Sequence, residues 1–172
     1  KNSKEQIKKT IQEIKKQGYN LEKIIILGDL KHHFSFEKGE KFDIRDFLSF
    51  LESYVKKENL ILLKGNHERF ELDKREHKEY FISQKDENDN NKIAFIHGDR
   101  NFSQIWDKKV KTIVMGHLHP AVSLTDKAGV KIEKYKTYLQ GRWKNKNIII
   151  LPSYFSITEG TEVNNPVLKK SR

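Results

Sequence analysis

The chain has 172 residues, of which 34% are charged and 35% hydrophobic, and it carries a net charge of +10. This length suits one domain with its own core, and the absence of cysteine excludes disulfides and thiolate zinc sites, so that any metal must bind N and O ligands. No apolar run approaches the roughly 18 residues of a membrane span and no secretory signal opens the chain, so we expect a cytoplasmic, soluble protein.

The first half of the chain alternates between predicted helices and strands. In order, these are a helix at residues 3–17, a strand at 23–27, a helix at 43–57 and a strand at 60–63. The first helix has Ile7, Ile11 and Ile14 on one face, which is the spacing of a helix packed on a core. This alternation predicts a parallel sheet with right-handed crossover connections.

The second half of the chain predicts mostly strands. They fall at residues 80–83, 93–96, 112–115, 130–139 and 148–151, with a turn at 141–147. The short spacing of the later strands favours a second, more antiparallel sheet. We therefore predict an α/β fold in which a two-sheet β-sandwich is flanked by helices, formed as a single domain over residues 1–172.

Four predicted strands end in aspartate, asparagine or histidine. The motifs are Gly28-Asp29, Gly65-Asn66-His67-Glu68, His97-Gly98-Asp99 and Gly116-His117-Leu118-His119. Side chains that follow neighbouring parallel strands converge at one sheet edge, where a carboxylate can bridge two cations. Asp29 is the natural bridge. Asn66, His97 and His117 can join it around one metal, while His119 can serve another. One such motif is commonplace, but all four in this order favour a two-metal hydrolytic site.

Together these motifs resemble the calcineurin-like metallophosphoesterases, and most closely an archaeal and bacterial ICC-like branch related to ligase-associated DNA-repair nucleases. The resemblance covers nearly the whole chain and implies a metallophosphoesterase-like αββα fold. It is carried by ILGDLKHHF at residues 26–34, LKGNHE at 63–68, FIHGD at 95–99, MGHLHP at 115–120 and LPSYFSITEGTEVN at 151–164.

The resemblance implies a role for each motif residue. Asp29 bridges two divalent cations, the second of which is also bound by Asn66, His97 and His117, and His119 binds the first. His67 contacts the phosphate and protonates the leaving oxygen as a general acid. Mn²⁺ is the expected metal, with Fe²⁺ and Zn²⁺ as alternatives.

Two further residues are candidates for substrate contact. His32 matches the family pattern and can reach the phosphate or orient His67. Arg100 can hold a phosphate oxygen, and a surface ion pair is an equally good interpretation of it. The implied activity is hydrolysis of phosphodiesters or phosphomonoesters, with nucleic acid or nucleotides among the candidate substrates.

One family motif is absent from the chain. The family opens with Asp-x-His on its first strand, whereas this sequence begins at Lys1 in a predicted helix. We expect that the first strand lies upstream, that the domain is N-terminally incomplete here, and that the first metal is bound weakly. The alternative is a degenerate, non-catalytic protein that binds a metal or a nucleic acid.

The two tryptophans can stack on a nucleic-acid base. Buried packing is the better interpretation for Trp106. Trp143 lies between Arg142 and Lys144, which makes a binding role more plausible there. The basic charge agrees with such a partner, although the lysines are spread along the chain and no arginine-rich tract occurs.

Overall fold

The computed structural model describes residues 3–30, 40–67, 75–84, 86, 88–155 and 158–164. The chain divides into two compact units, Lys1–Phe81 and Ile82–Arg172. Among the described residues, no helix combines the length and the apolar character needed to cross a membrane.

The first unit contains two helices and two short strands. They are α1 (Ser3–Lys16), β1 (Ile24–Ile26), α2 (Glu40–Glu52) and β2 (Leu60–Leu62). In α2, Ile44, Leu48 and Leu51 are buried at the spacing of one helical face, and residues 60–63 are all buried. The predicted helices and strands of this half are therefore present, with small differences in their ends.

The end of α2 differs most from the prediction, because the helix stops at Glu52 and not near residue 57. The hydroxyl of Ser53 donates to the carbonyl of Phe50 at 2.7 Å, and the Tyr54 N–H donates to Leu51 at 3.0 Å. These bonds satisfy carbonyls of the last helical turn, so the chain leaves the helix there. A 3-10 turn at Lys57–Asn59 then leads into β2.

The strands β1 and β2 are parallel, with Ile24 opposite Leu60 and Ile26 opposite Leu62. The ladder continues past the strands, because the Leu63 N–H donates to the Ile26 carbonyl at 2.9 Å. Leu63 also forms a parallel bridge with Lys78. The segments that follow β1 and β2 therefore leave the sheet side by side at one edge.

The second unit contains two mixed sheets. Its strands, the first of which straddles the division between units, are β3 (Tyr80–Ser83), β4 (Lys92–Ile96), β5 (Val110–Met115), β6 (Pro120–Thr125), β7 (Ile132–Lys136), β8 (Leu139–Trp143), β9 (Lys146–Ile150) and β10 (Thr161–Glu162). The five-stranded sheet has the order β3-β4-β5-β9-β8, and the three-stranded sheet the order β10-β6-β7. In the larger sheet β4, β5 and β9 are parallel, and β8 pairs antiparallel with β9.

The α/β fold class predicted from the sequence is confirmed, but the later strands differ in detail. The predicted strand at 130–139 is two strands, β7 and β8, and residues 141–143 belong to β8 and not to a turn. The turn is only two residues long, Lys144 and Asn145, and both have positive φ. The strands β6 and β10 were not predicted. The later strands form antiparallel pairs, β6 with β7 and β8 with β9, as expected, whereas β4, β5 and β9 are parallel within the larger sheet.

Candidate metal centre

In the first unit, Asp29 lies just beyond β1 in a left-handed turn. Gly28 has φ +92° and Asp29 has φ +55°, and the Asp29 side chain is 13% exposed. One carboxylate oxygen, Oδ1, accepts a hydrogen bond from the backbone N–H of His67 at 3.0 Å. The other, Oδ2, lies 4.0 Å from Nε2 of the His67 ring. The two motifs that follow β1 and β2 therefore meet, and they bring a carboxylate and an imidazole together.

Gly65 is buried against Asp29. A Cβ atom at position 65 would lie 2.1 Å from Oδ1 of Asp29 and 2.5 Å from its backbone nitrogen. The nitrogen belongs to the backbone and cannot move aside as a side-chain end can, so a side chain at position 65 would displace the aspartate. Asn66, the next residue, is exposed. The glycine of this motif is thus required by the space that Asp29 occupies.

In the second unit, His97 and His117 follow the neighbouring parallel strands β4 and β5. His97 is 2% exposed, and its Nε2 lies 3.1 Å from Nδ1 of His117. The rings meet edge to face, with centroids 4.9 Å apart. The Gly116 N–H donates to the His97 carbonyl at 2.9 Å, which extends the β4–β5 ladder to the histidines. The sequence prediction that these two imidazoles converge is confirmed.

The spacing of these two nitrogens fits a shared cation. Two imidazole nitrogens bound to one tetrahedral cation at about 2.05 Å each lie about 3.3 Å apart. The separation of 3.1 Å between His97 Nε2 and His117 Nδ1 is close to that value. It also fits a hydrogen bond when one of the two nitrogens carries a proton. Imidazole nitrogens are suited to Fe²⁺ and Zn²⁺, whereas Mn²⁺ is suited to carboxylate, amide and water oxygens.

Gly98 allows His97 and His117 to approach. It has φ +119°, and a Cβ there would lie 2.7 Å from Cε of Met115 and 3.3 Å from Cβ of His117. A side chain at position 98 would therefore push on both the end of β5 and the second imidazole. The sequence marks this glycine as part of a motif but does not reveal the methionine beneath it.

His119 is held through its backbone. Its carbonyl accepts a hydrogen bond from Thr161 N at 2.8 Å, where β10 pairs with β6. A Cβ on Gly160, which has φ +92°, would lie 2.5 Å from the same carbonyl oxygen. The segment at residues 158–164 therefore fixes the position of His119, a role that the sequence did not reveal because β6 and β10 were not predicted.

The predicted ligands coincide with unusual backbone. Among the residues that the structure describes, five that are not glycine have positive φ. Three of them, Asp29, His117 and His119, are predicted metal ligands, and the others are Lys144 and Asn145 of the hairpin turn. A left-handed conformation costs about 1 kcal/mol or more for a residue with a side chain and persists where the surroundings enforce it. Such positions are enriched at functional sites.

The predicted substrate contacts are less well placed. Arg100 is exposed and donates through Nε to Oδ2 of its neighbour Asp99 at 3.3 Å, and its guanidinium lies 5.9 Å from the centre of the Phe102 ring. This is the surface ion pair that the sequence left open, and a phosphate contact by Arg100 stays a prediction. His32 lies outside the described residues.

The profile of the calcineurin-like phosphoesterases matches residues 2–158. The chain belongs to that family. The resemblance found in the sequence is therefore confirmed at the level of the family, whereas the finer branch stays a prediction. Members of this family are typically phosphoesterases and generally bind divalent metals. No curated protein matches the chain.

Solved structures similar to this chain include Vps29 proteins at low identity. A single mutant and a double mutant of Vps29 from Entamoeba histolytica are each 12% identical to it, with TM-scores of 0.43 and 0.42. They cover 82% and 83% of this chain, which spans 64% of each of them. Vacuolar Protein Sorting 29 from Cryptosporidium parvum is 14% identical, with a TM-score of 0.37. The alignment covers 75% of this chain and 79% of the Cryptosporidium chain.

Proposed function

We propose that the chain is a metal-dependent phosphoesterase that hydrolyses phosphodiester or phosphomonoester bonds. Its metal ligands are Asp29, Asn66, His97, His117 and His119. Family membership supports the activity class. The observation that carries the proposal is the buried His97 ring, whose Nε2 faces Nδ1 of His117 at 3.1 Å at the ends of two parallel strands.

The proposed ligands divide unevenly between two cations. In this proposal Asn66, His97 and His117 would hold one cation, His119 would hold the other, and Asp29 would be shared by both. One cation would therefore have four ligands and the other only two. We expect the cation with two ligands, which is the first metal of the sequence analysis, to be bound more weakly. Mn²⁺ is the proposed metal, with Fe²⁺ or Zn²⁺ as alternatives. Divalent cations at these residues supply Lewis-acid activation of water and of the phosphoryl group.

The protein's own residues have the remaining tasks. The backbone N–H of His67 fixes Oδ1 of Asp29, which orients the carboxylate. The imidazole of His67 is 39% exposed, so a substrate can reach it, and its Nε2 lies 4.0 Å from Oδ2 of Asp29. We assign His67 the role of proton donor to the leaving oxygen. His32 and Arg100 are proposed to contact the phosphate.

Activity and metal binding of single variants test the proposal. The substrates are bis(4-nitrophenyl) phosphate and 4-nitrophenyl phosphate with Mn²⁺, and calorimetry follows Mn²⁺ binding. His67→Ala should lower kcat about 10²- to 10⁴-fold, the range for loss of a general acid, and leave Mn²⁺ affinity largely intact. Asp29→Ala should lose both activity and metal. His77→Ala, which removes a histidine outside the proposed centre, is the matched control.

Two results would overturn the enzyme proposal. One is the absence of cleavage of either substrate class with Mn²⁺, Fe²⁺ and Zn²⁺. The other is full activity in His67→Ala. A second candidate function is that of a protein that binds one metal or a nucleic acid without turnover. Tight Mn²⁺ binding that depends on His97 and His117, with no cleavage of any phosphate ester, would select that second candidate.

A further inference from the structure

The chain has two tryptophans, and their rings are in contact in the second unit. Trp106 and Trp143 meet edge to face, with ring centroids 5.2 Å apart. The amino group of Lys144 lies 5.2 Å from the centre of the Trp106 ring and 4.5 Å from that of Trp143. We name these three residues the tryptophan cluster. Trp143 is 56% exposed, so the cluster presents an indole to solvent.

The cluster is held rigidly by its own surroundings. Trp143 ends β8 and pairs with Lys146 across the two-residue turn, which places Lys144 over the rings. Trp106 donates through Nε1 to Asn101 Oδ1 at 2.7 Å. The Lys146 amino group donates to the carbonyls of Asp107 at 2.8 Å and Val110 at 2.6 Å. These bonds tie the segment after Trp106 to β9, so binding a ligand here requires little ordering.

The segments around the two rings are strongly basic. Residues 106–111 and 142–146 contain six cationic side chains and one acidic side chain. The cationic residues are Lys108, Lys109, Lys111, Arg142, Lys144 and Lys146, of which all but Lys146 are exposed. The acidic residue, Asp107, accepts a hydrogen bond from the backbone N–H of Lys109 at 2.7 Å. A polyanion with flat aromatic groups complements this surface better than an acidic peptide does.

We propose that the tryptophan cluster binds single-stranded nucleic acid. A base stacks on the exposed ring of Trp143, and the adjacent phosphates pair with Lys144 and Arg142. Proteins that bind single strands without sequence preference combine exposed aromatic rings with a positively charged surface, because every base has a π-face and every linkage a phosphate. Both elements are present here within one hairpin and the segment that is bonded to it.

This surface lies away from the histidine pair of the same unit. The segment of Trp106 leads into the start of β5 at Val110, whereas His117 follows the end of β5 at Met115. Five residue steps at roughly 3.3 Å separate the two ends of the strand by about 17 Å. The cluster is therefore a second binding surface, and the proposal holds whether or not the protein turns over a phosphate ester.

Binding of a fluorescein-labelled 12-nucleotide oligothymidylate, followed by anisotropy in EDTA, tests the proposal without any metal. Trp143→Ala should weaken binding about tenfold, within the range for loss of one stacked base. Lys144→Ala should reduce the slope of log affinity against log salt by about 0.7, the value for one phosphate contact on a single strand. The matched controls are Tyr138→Ala, an aromatic that is 69% exposed, and Lys127→Ala, an exposed turn lysine.

Trp143→Phe is the control for a structural effect of the substitution on the hairpin. It keeps an aromatic ring for stacking, so it should keep most of the affinity for the oligonucleotide. Equal binding by Trp143→Ala and the unchanged chain would overturn the proposal. So would equal affinity for an abasic oligomer of the same length, since charge alone would then explain binding. Quenching of tryptophan fluorescence by an acidic peptide but not by oligothymidylate would assign the surface to a protein partner and also overturn it.

Discussion

The left-handed backbone conformation occurs in two kinds of turn in this protein. One kind carries the candidate ligands, and the other is the turn of the β8–β9 hairpin. In the hairpin, Lys144 and Asn145 have φ +46° and +62°, the pair of positive values that a two-residue turn between twisted strands requires. Their side chains are exposed. Asp29, His117 and His119 have similar φ, but their side chains are half-buried. The conformation reverses the chain in one region and places side chains in the other.

The neighbouring glycines differ in the same way. In the hairpin region, a Cβ on Gly141 of β8 would meet no atom within 4 Å. At the candidate ligands, a Cβ on Gly65 or Gly98 would collide with Asp29 or with the Met115 and His117 side chains. The hairpin turn is therefore satisfied locally, whereas the ligand turns depend on packing by residues distant in the sequence.

The largest expected effect comes from Gly65→Ala. Its Cβ would be 2.1 Å from Oδ1 of Asp29, so the carboxylate must move. We expect a loss of about 3 kcal/mol in the free energy of unfolding, the upper end for overpacking, together with loss of Mn²⁺ binding. Urea unfolding and calorimetry measure the two quantities. Gly141→Ala is the matched control, with a change of at most about 1 kcal/mol. Equal effects of both variants would remove the contrast between the regions.

Lys146→Met is expected to cost about 2 kcal/mol, because the buried carbonyl of Val110 loses the amine as a donor. The part-buried carbonyl of Asp107 loses it too, but still accepts from the Val110 N–H at 3.1 Å. Burial lowers the pKa of the Lys146 amine from 10.5, the nearby charge of Lys111 lowers it further, and Asp107 opposes the shift. At a pH between the pKa of Lys146 in the folded protein and its ordinary value of 10.5, the unfolded chain binds more protons than the folded chain. The unchanged protein therefore gains stability as the pH rises through that window, and the Met variant lacks this gain.

Denaturant unfolding at pH 7 and at pH 10 measures this effect as a difference between the two proteins. The deficit of Lys146→Met should be larger at pH 10. The exposed residue Lys127 provides the control, since Lys127→Met should show a small difference that does not change with pH. A deficit for Lys146→Met that shrinks toward alkaline pH would contradict the role of burial and would leave the hairpin without its proposed anchor.

A smaller effect is expected for Gly98→Ala, about 1 kcal/mol from its φ of +119°. The collision at 2.7 Å involves Cε of Met115, the end of a flexible side chain, so part of it can relax. Mn²⁺ affinity should fall because Cβ of His117 lies 3.3 Å away. The double variant Gly98→Ala with Met115→Ala restores space but not φ. Recovery of Mn²⁺ affinity in the double variant would show that crowding dominates, and no recovery would assign the effect to the backbone.

Much of this arrangement could be predicted from the sequence because it depends on local pattern. The half-buried strand at residues 24–26 and the buried strand at 60–62 are compact apolar runs, and each is followed by a polar motif. Parallel pairing then brings motif ends together, which is how the convergence of His97 and His117 was predicted. The period of apolar residues likewise predicted both helices.

The remainder depends on contacts between residues that are far apart in the chain. β10 is only two residues long, Thr161 and Glu162, and forms because β6 offers it a partner. The crowding of Gly65 by Asp29 is a contact between residues 36 positions apart in the chain. Gly141 misled the prediction in the opposite sense, since it suggested a turn inside what is an exposed edge strand. Local pattern does not encode such contacts, so these features emerge only in the folded chain.

The smallest expected effect tests the hairpin side of the comparison. Asn145 has φ +62° at the second position of the turn, where glycine is the preferred residue. Asn145→Gly should raise the free energy of unfolding by about 0.5 kcal/mol, because it relieves a left-handed side chain without removing a contact that the turn needs. Mn²⁺ affinity should not change. The corresponding change at a ligand turn, His117→Gly, relieves the same conformation but should abolish tight Mn²⁺ binding. If Asn145→Gly also weakened Mn²⁺ binding, the hairpin turn would affect the metal site too. The distinction between a turn that only reverses the chain and a turn that places a ligand would then be wrong.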